Sequence, residues 1–209
     1  MYERKGKAPF KIFGSCPFLL LVFDNCHFTN GSQFIYRLTK CPELCFGIFL
    51  SATPNSEAAK AETWTTARRV ENGSERRLVL VAHAFGTKTV NDTVRDEDMD
   101  LPDDIHHSTV PEVTEQCSDS PRKGHKEDGR TICLHSLAVL PRYQHKGVGR
   151  TLLRSYIQTM HEQRVADRLA IITYQDLVEL YEKFGFKTLG ESKTKFGGGN
   201  WIDMVYDIS

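Results

Sequence analysis

Leu134-His135-Ser136-Leu137-Ala138-Val139-Leu140-Pro141-Arg142-Tyr143-Gln144-His145-Lys146-Gly147-Val148-Gly149-Arg150 is the stretch on which the reading of this chain turns. Its first half completes a run from Thr131 to Val139 that reads as a β-strand, stopped by Pro141. Its second half opens a helix from about Gly147 to Glu162. There Val148, Leu152, Leu153, Tyr156, Ile157 and Met160 form one apolar stripe at helical spacing. Between strand and helix lies Gln144–Arg150. Glycines at 147 and 149 remove side chains where the helix begins, so unpaired backbone N–H groups meet an incoming anion and the helix dipole favours the same charge. Lys146 and Arg150 add longer-range attraction and His145 a hydrogen bond. A pyrophosphate is the natural guest. The string has neither the serial glycines of a dinucleotide fingerprint nor the Gly-Lys-Ser/Thr ending of a P-loop. Taken alone, the same glycines also suit a plain helix entrance that packs closely.

Downstream of the helix, Arg168–Tyr174 reads as a strand covered on both faces. A short helix follows, with Leu177, Leu180, Tyr181 and Phe184 on one side and Gly185 to stop it. Phe186–Gly190 and Trp201–Ile208 read as two closing strands. Upstream, Cys45–Leu50 and Arg77–Gly86 are strand candidates. The polar stretch between them fits a long hairpin-like connection or a disordered insertion, with Trp64 as an anchor. Strand, helix, strand, helix and two strands predict an α+β (mixed α/β) fold with a central mixed sheet flanked by helices.

Two segments do not join this pattern. Between residues 91 and 119 there are ten acidic residues and one basic one, plus Pro102 and Pro111. Few side chains there can bury surface, so 91–129 is expected to be a long, acidic and largely disordered insertion. Residues 1–34 form an atypical N-terminal segment containing the apolar run Cys16–Phe23. Eight residues are too few to cross a bilayer as a helix, which takes roughly 20. Arg4, Lys5, Lys7 and Lys11 precede the run, yet no small-residue cleavage site follows it. The expected organisation is therefore 1–34 as the atypical segment and 35–209 as one domain.

The 209 residues carry 27 basic and 27 acidic side chains, 40% hydrophobic and 26% charged residues. That balance gives no general attraction to nucleic acid or anionic membrane. The six cysteines include no CxxC pair, and Cys41 and Cys45 lack nearby matching histidines. No structural metal is expected. Cys45 and Cys133 read as thiols in a reducing interior, so the chain is placed in the cytoplasm, as a monomer without nucleic-acid or membrane partners.

At this point a family likeness becomes specific. LHSLAVLPRYQHKGVG at 134–149, LVELYEKFGFKTLG at 177–190 and WIDM at 201–204 resemble the GNAT superfamily of N-acetyltransferases. Within it, the chain looks like the arylalkylamine (serotonin) N-acetyltransferases and the fungal polyamine acetyltransferases. CPELCFGIF at 41–49 and LVAHAFGTKT at 80–89 resemble that family's second and third strands. The likeness covers about 38–90 and 130–208; residues 1–34 depart from the family's usual opening. It implies acetyl-CoA as co-substrate and a small-molecule amine as acceptor. The pyrophosphate arm would rest on Gln144, His145, Lys146, Gly147, Val148, Gly149 and Arg150. The pantetheine arm would pair along Leu137, Ala138 and Val139, and Tyr181 would lie near the thioester sulfur.

The chemistry asks for a base, because a primary alkylamine with a pKa of about 10 is mostly ammonium near neutrality. His135, with an imidazole pKa of roughly 6.5, suits the removal of that proton directly or through water. A histidine satisfying a backbone carbonyl at the sheet surface is the plain alternative. The animal arylalkylamine enzymes carry a histidine pair on this strand, and Cys133 stands at the partner position; a thiol is no near-neutral base. Tyr181 is the candidate proton donor to the departing thiolate, against the ordinary reading of a core tyrosine. His83 suits the amine pocket and the core equally. Acetylation of a protein N-terminus or lysine, and silent CoA binding, stand as alternative functions.

Overall fold

The computed structural model describes residues 10–14, 31–65, 67–70, 74–102 and 122–208. The apolar run Cys16–Phe23 and the centre of the acidic stretch, 103–121, lie outside the described residues.

Among the described residues, eight strands and four α-helices follow one another as β1 (Phe10–Gly14), α1 (Gly31–Lys40), β2 (Cys45–Ala52), β3 (Arg68–Arg69), β4 (Arg77–Thr89), α2 (Asp96–Met99), β5 (Thr131–Val139), α3 (Val148–Gln163), β6 (Arg168–Thr173), α4 (Val178–Glu182), β7 (Lys187–Glu191) and β8 (Ile202–Asp207). The sheet order is β1-β2-β4-β5-β6-β8-β7, with β3 paired to β4. The pairing of β5 with β6 is parallel and the other assigned pairings are antiparallel, so the sheet is mixed, as the sequence predicts.

The chain divides into two compact units. The first comprises Met1–Phe85 and Ser136–Gln158, the second Gly86–His135 and Thr159–Ser209. In the first, β2 lies between β1 and β4, with Ile12 opposite Ile48 and Gly47 opposite His83. Phe34 and Leu38 of α1, one helical turn apart, pack with Cys45, Phe49, Leu80 and Phe85. Sequence periodicity does not mark α1, because its mixture of Phe34, Ile35, Tyr36 and Leu38 hides the helical period. The polar connection after β2 is hairpin-like. Arg77 lies over the Trp64 ring at 5.0 Å and donates to the Trp64 carbonyl, 3.2 Å away. In α3, Leu152, Leu153 and Tyr156 are buried, as the stripe predicts. The Tyr156 hydroxyl donates to the Leu44 carbonyl (3.2 Å) and its ring packs edge-to-face with Phe46, centroids 5.0 Å apart.

In the second unit β5 pairs with β6 in parallel at Thr131–Cys133, and β6 pairs with β8 along its whole length. Cys133, Ala170 and Val205 stand opposite one another on the three strands, and Val94 and Met99 cover them. The flanks of the acidic stretch are thus packed, where the sequence predicts disorder from residue 91 onward. Two apolar side chains suffice because the backbone around them is tied down. The Asp98 carboxylate accepts the Arg95 N–H (2.9 Å), and Asp96 accepts the N–H groups of Lys195 and Phe196 at 2.8 and 2.9 Å. Thr194 donates to the Val94 carbonyl at 2.8 Å. The helix expected near Leu177 is shorter than predicted and turned differently. A tight turn, Gln175–Leu177, precedes α4; Val178 faces inward, while Leu177 and Leu180 are 39% and 40% exposed.

Candidate active site

The first unit supplies a loop made of main chain. Leu140 donates its N–H to the Val81 carbonyl (2.9 Å), fixing the end of β5 beside β4. The chain then turns through Pro141–Tyr143 and reaches Gln144–Gly147, all four exposed. His145 and Gly147 both take positive φ, 56° and 80°. At Gly147 an added Cβ would meet nothing within 4 Å, so the glycine answers to backbone conformation. At Gly149 a Cβ would lie 3.3 Å from Val139 Cγ2, so that glycine lets the helix start approach the strand end. Thr151 makes the first helical hydrogen bond, to the Gly147 carbonyl at 3.0 Å. The N–H groups of Val148, Gly149 and Arg150 precede it and have no intrahelical acceptor.

Two side chains expected to reach for the anion are engaged within the loop. Lys146 donates to the Arg142 carbonyl at 2.7 Å and Gln144 to the Val139 carbonyl at 3.0 Å. They brace the turn. Arg150 and His145 are exposed. What the loop offers an anion is therefore chiefly backbone N–H groups and the helix dipole, with Arg150 exposed beside them.

His83, in the same unit, is fully buried. It lies 2.8 Å from Ser136 Oγ and stacks on Phe85 at 4.6 Å, with Phe34 edge-on. Burial pulls its pKa down to about 3, so the ring is neutral at physiological pH. It belongs to the aromatic core.

The second unit supplies side chains. His135, partly exposed on β5, places Nε2 at 2.7 Å from Thr87 Oγ1 and Nδ1 at 3.2 Å from Met99 Sδ. Both contacts orient the ring. Cys133, two residues earlier, is a thiol in no disulfide, buried among Val94, Met99, Ala170 and Val205 out of reach of solvent. Asp98 is 1% exposed and burial pushes its carboxyl up; its cap on α2 holds Met99 against the histidine. Tyr181 is half-buried, its ring edge-on to Phe186 at 5.5 Å, and burial raises its phenol above the usual range. A raised phenol stays protonated, the form a proton donor needs. Sequence reading missed Thr87, Met99 and Asp203, the last a buried carboxylate on β8. Only Asp203 left a signal, an acid at a position whose neighbours two residues away, Trp201 and Val205, are apolar.

Among the described residues no three His, Cys, Asp or Glu side chains cluster to hold a metal ion, and no helix is long and apolar enough to cross a membrane.

Residues 122–208 match the family model for the acetyltransferase (GNAT) domain. Over 80 residues, 38% of this chain, the sequence is 32% identical to serotonin N-acetyltransferase of Mesocricetus auratus and 30% identical to that of Macaca mulatta. The matched stretch spans 39% of each relative. Among solved structures, the NatC complex bound to Gag peptide and CoA aligns with a TM-score of 0.55 at 13% identity, covering 98% of this chain and 100% of that one. The loading GNATL domain of CurA from Lyngbya majuscula aligns with a TM-score of 0.55 at 12% identity, covering 97% and 98%. The GNAT-like decarboxylase GphF with isobutyryl-CoA also gives 0.55, at 10% identity over 96% and 100%. What these share with the present chain is the fold: a mixed α/β GNAT-like sheet flanked by helices.

Proposed function

We propose that the chain is an acetyl-CoA-dependent N-acetyltransferase of the cytoplasm, acting on the primary amine of a small arylalkylamine or polyamine. The observation that carries this reading is the loop at Gln144–Gly149, where positive φ at residue 147 and close packing at residue 149 leave the first N–H groups of α3 to an anion. Those groups would take the diphosphate of CoA, with Arg150 beside them, and Leu137–Val139 would pair with the pantetheine arm. The co-substrate supplies an acetyl group activated as a thioester.

His135 takes a proton from the substrate ammonium, directly or through water, aided by the orientation that Thr87 and Met99 impose. The freed nitrogen lone pair forms the C–N bond to the acetyl carbon. A main-chain N–H of Leu137–Val139 meets the negative charge that grows on the carbonyl oxygen. As the C–S bond breaks, Tyr181 gives its proton to the sulfur. The nitrogen sheds a second proton; of the two it loses, one restores the Tyr181 phenol through solvent and the other is released, so the net balance is one proton on the thiol and one in solvent. Cys133 takes no part, since its sulfur is enclosed in the core.

Isothermal titration of the full-length chain with CoA and acetyl-CoA tests the premise, followed by thiol release with tryptamine, phenylethylamine, spermidine and an N-terminal peptide. Micromolar binding and turnover with one small-amine class are expected. Absence of binding by a folded sample sinks the reading; turnover with the peptide alone favours protein acetylation, and binding without turnover favours a silent CoA-binding protein.

A further inference from the structure

Strand register in the second unit places three side chains in one row. Cys133, Ala170 and Val205 stand opposite one another; two residues along each strand, on the same face by alternation, come His135, past the end of the β5–β6 pairing, and the paired Ile172 and Asp203 of β6 and β8. Ile172, opposite Asp203, packs on the same cluster as Cys133 and Met99, which confirms the face. One row further, Tyr174 and Trp201 stack at 4.3 Å. His135 and Ile172 are partly exposed, so the row reaches solvent at its β5 and β6 positions.

Asp203 is 7% exposed, and its Oδ1 has no hydrogen-bond partner. Burial pushes its carboxyl up, against a Ser192 hydrogen bond and the more distant Arg95 guanidinium, which pull it down. A buried carboxylate oxygen left unpaired is costly, and among the donors that would satisfy it a cationic one binds most strongly. That cation cannot be the reacting nitrogen. A carboxylate stabilises the ammonium form, whereas the nitrogen that attacks has to lose its proton. Asp203 stands two strands from His135, at least about 10 Å between strand axes, which suits a second nitrogen that stays charged. The intervening Ile172 offers apolar contact to methylenes, and the Tyr174–Trp201 pair offers ring faces to an alkylammonium.

Resting on the acetyl-transfer reading above, we propose that Asp203 holds a second, non-reacting ammonium group of the substrate, so that the site takes diamines and polyamines ahead of monoamines.

The test measures kcat/KM with acetyl-CoA for 1,4-diaminobutane and spermidine against butylamine and phenylethylamine. Wild type is expected to favour the diamines by about tenfold or more, and Asp203→Asn to shrink the diamine-to-butylamine ratio about tenfold to a hundredfold, chiefly through KM. An unchanged ratio in Asp203→Asn, or a wild type that prefers phenylethylamine, overturns the proposal and leaves acetyl transfer standing. Failure to turn over any amine despite CoA binding removes the transfer reading, and this proposal with it. Should Asp203→Asn not fold, diamines of three, four and six carbons on wild type decide the matter. A preference near four carbons supports the second contact, and a flat series overturns it.

Discussion

Around Gln144–Gly149 the first unit offers main-chain N–H groups on an exposed loop, whereas around His135 the second unit offers side chains packed against Thr87 and Met99. The loop's long polar side chains face back into it, with Lys146 on the Arg142 carbonyl and Gln144 on that of Val139. The histidine region depends on which atoms stand at each position. A backbone site is expected to tolerate side-chain changes and to fail on conformational ones; a side-chain site is expected to do the reverse.

The sharpest way to break this contrast is at His135. His135→Ala is expected to lower kcat/KM about a hundredfold to ten-thousandfold, and Tyr181→Phe to lower kcat about tenfold, with the Kd for CoA in both within about threefold of wild type by calorimetry. Parallel loss of CoA affinity would show that these residues hold the fold or the co-substrate instead.

His83 separates the core from the chemistry. Its pKa of about 3 lies below the ordinary 6.5, so between those values the unfolded chain binds the extra proton and stability rises with pH. Stability against denaturant is therefore expected to fall as pH drops from 6.5, by about 3 kcal/mol at pH 4 from this residue alone. His83→Leu should flatten that acid limb. A limb equally steep in the variant would place the sensitivity elsewhere.

The smallest effects belong to the loop. Gly147→Ala forces a Cβ into left-handed backbone and is expected to weaken CoA binding about fivefold, from a strain of about 1 kcal/mol. Lys146→Ala is expected to change it less than about threefold, because its amine already bonds the Arg142 carbonyl. The opposite ranking in the same titration would make the loop a side-chain site after all.

Sequence and structure agree best where one period runs uninterrupted. Thr131–Val139 and the Val148–Met160 stripe carry strand alternation and helical spacing in the side chains themselves, and both elements form where expected. Gly147 and Gly149 marked the loop because a missing Cβ is visible in a sequence. The inward turn of Val178 in place of Leu177 was not legible, since one turn of α4 is too short to define a face. Neither was Met99, an apolar residue in an acidic run, whose burial depends on Asp96 reaching residues 195 and 196. Contacts across a hundred positions leave no local period.

Tyr156 carries a consequence for how the protein matures. Its hydroxyl meets the Leu44 carbonyl, 112 residues back along the chain, and it lies two turns along the helix that begins at the anion loop. Closing so wide a span is slow and comes late in folding. Nucleotide-tail capture during refolding should then recover only with the last kinetic phase, making ligand uptake a gauge of finished molecules.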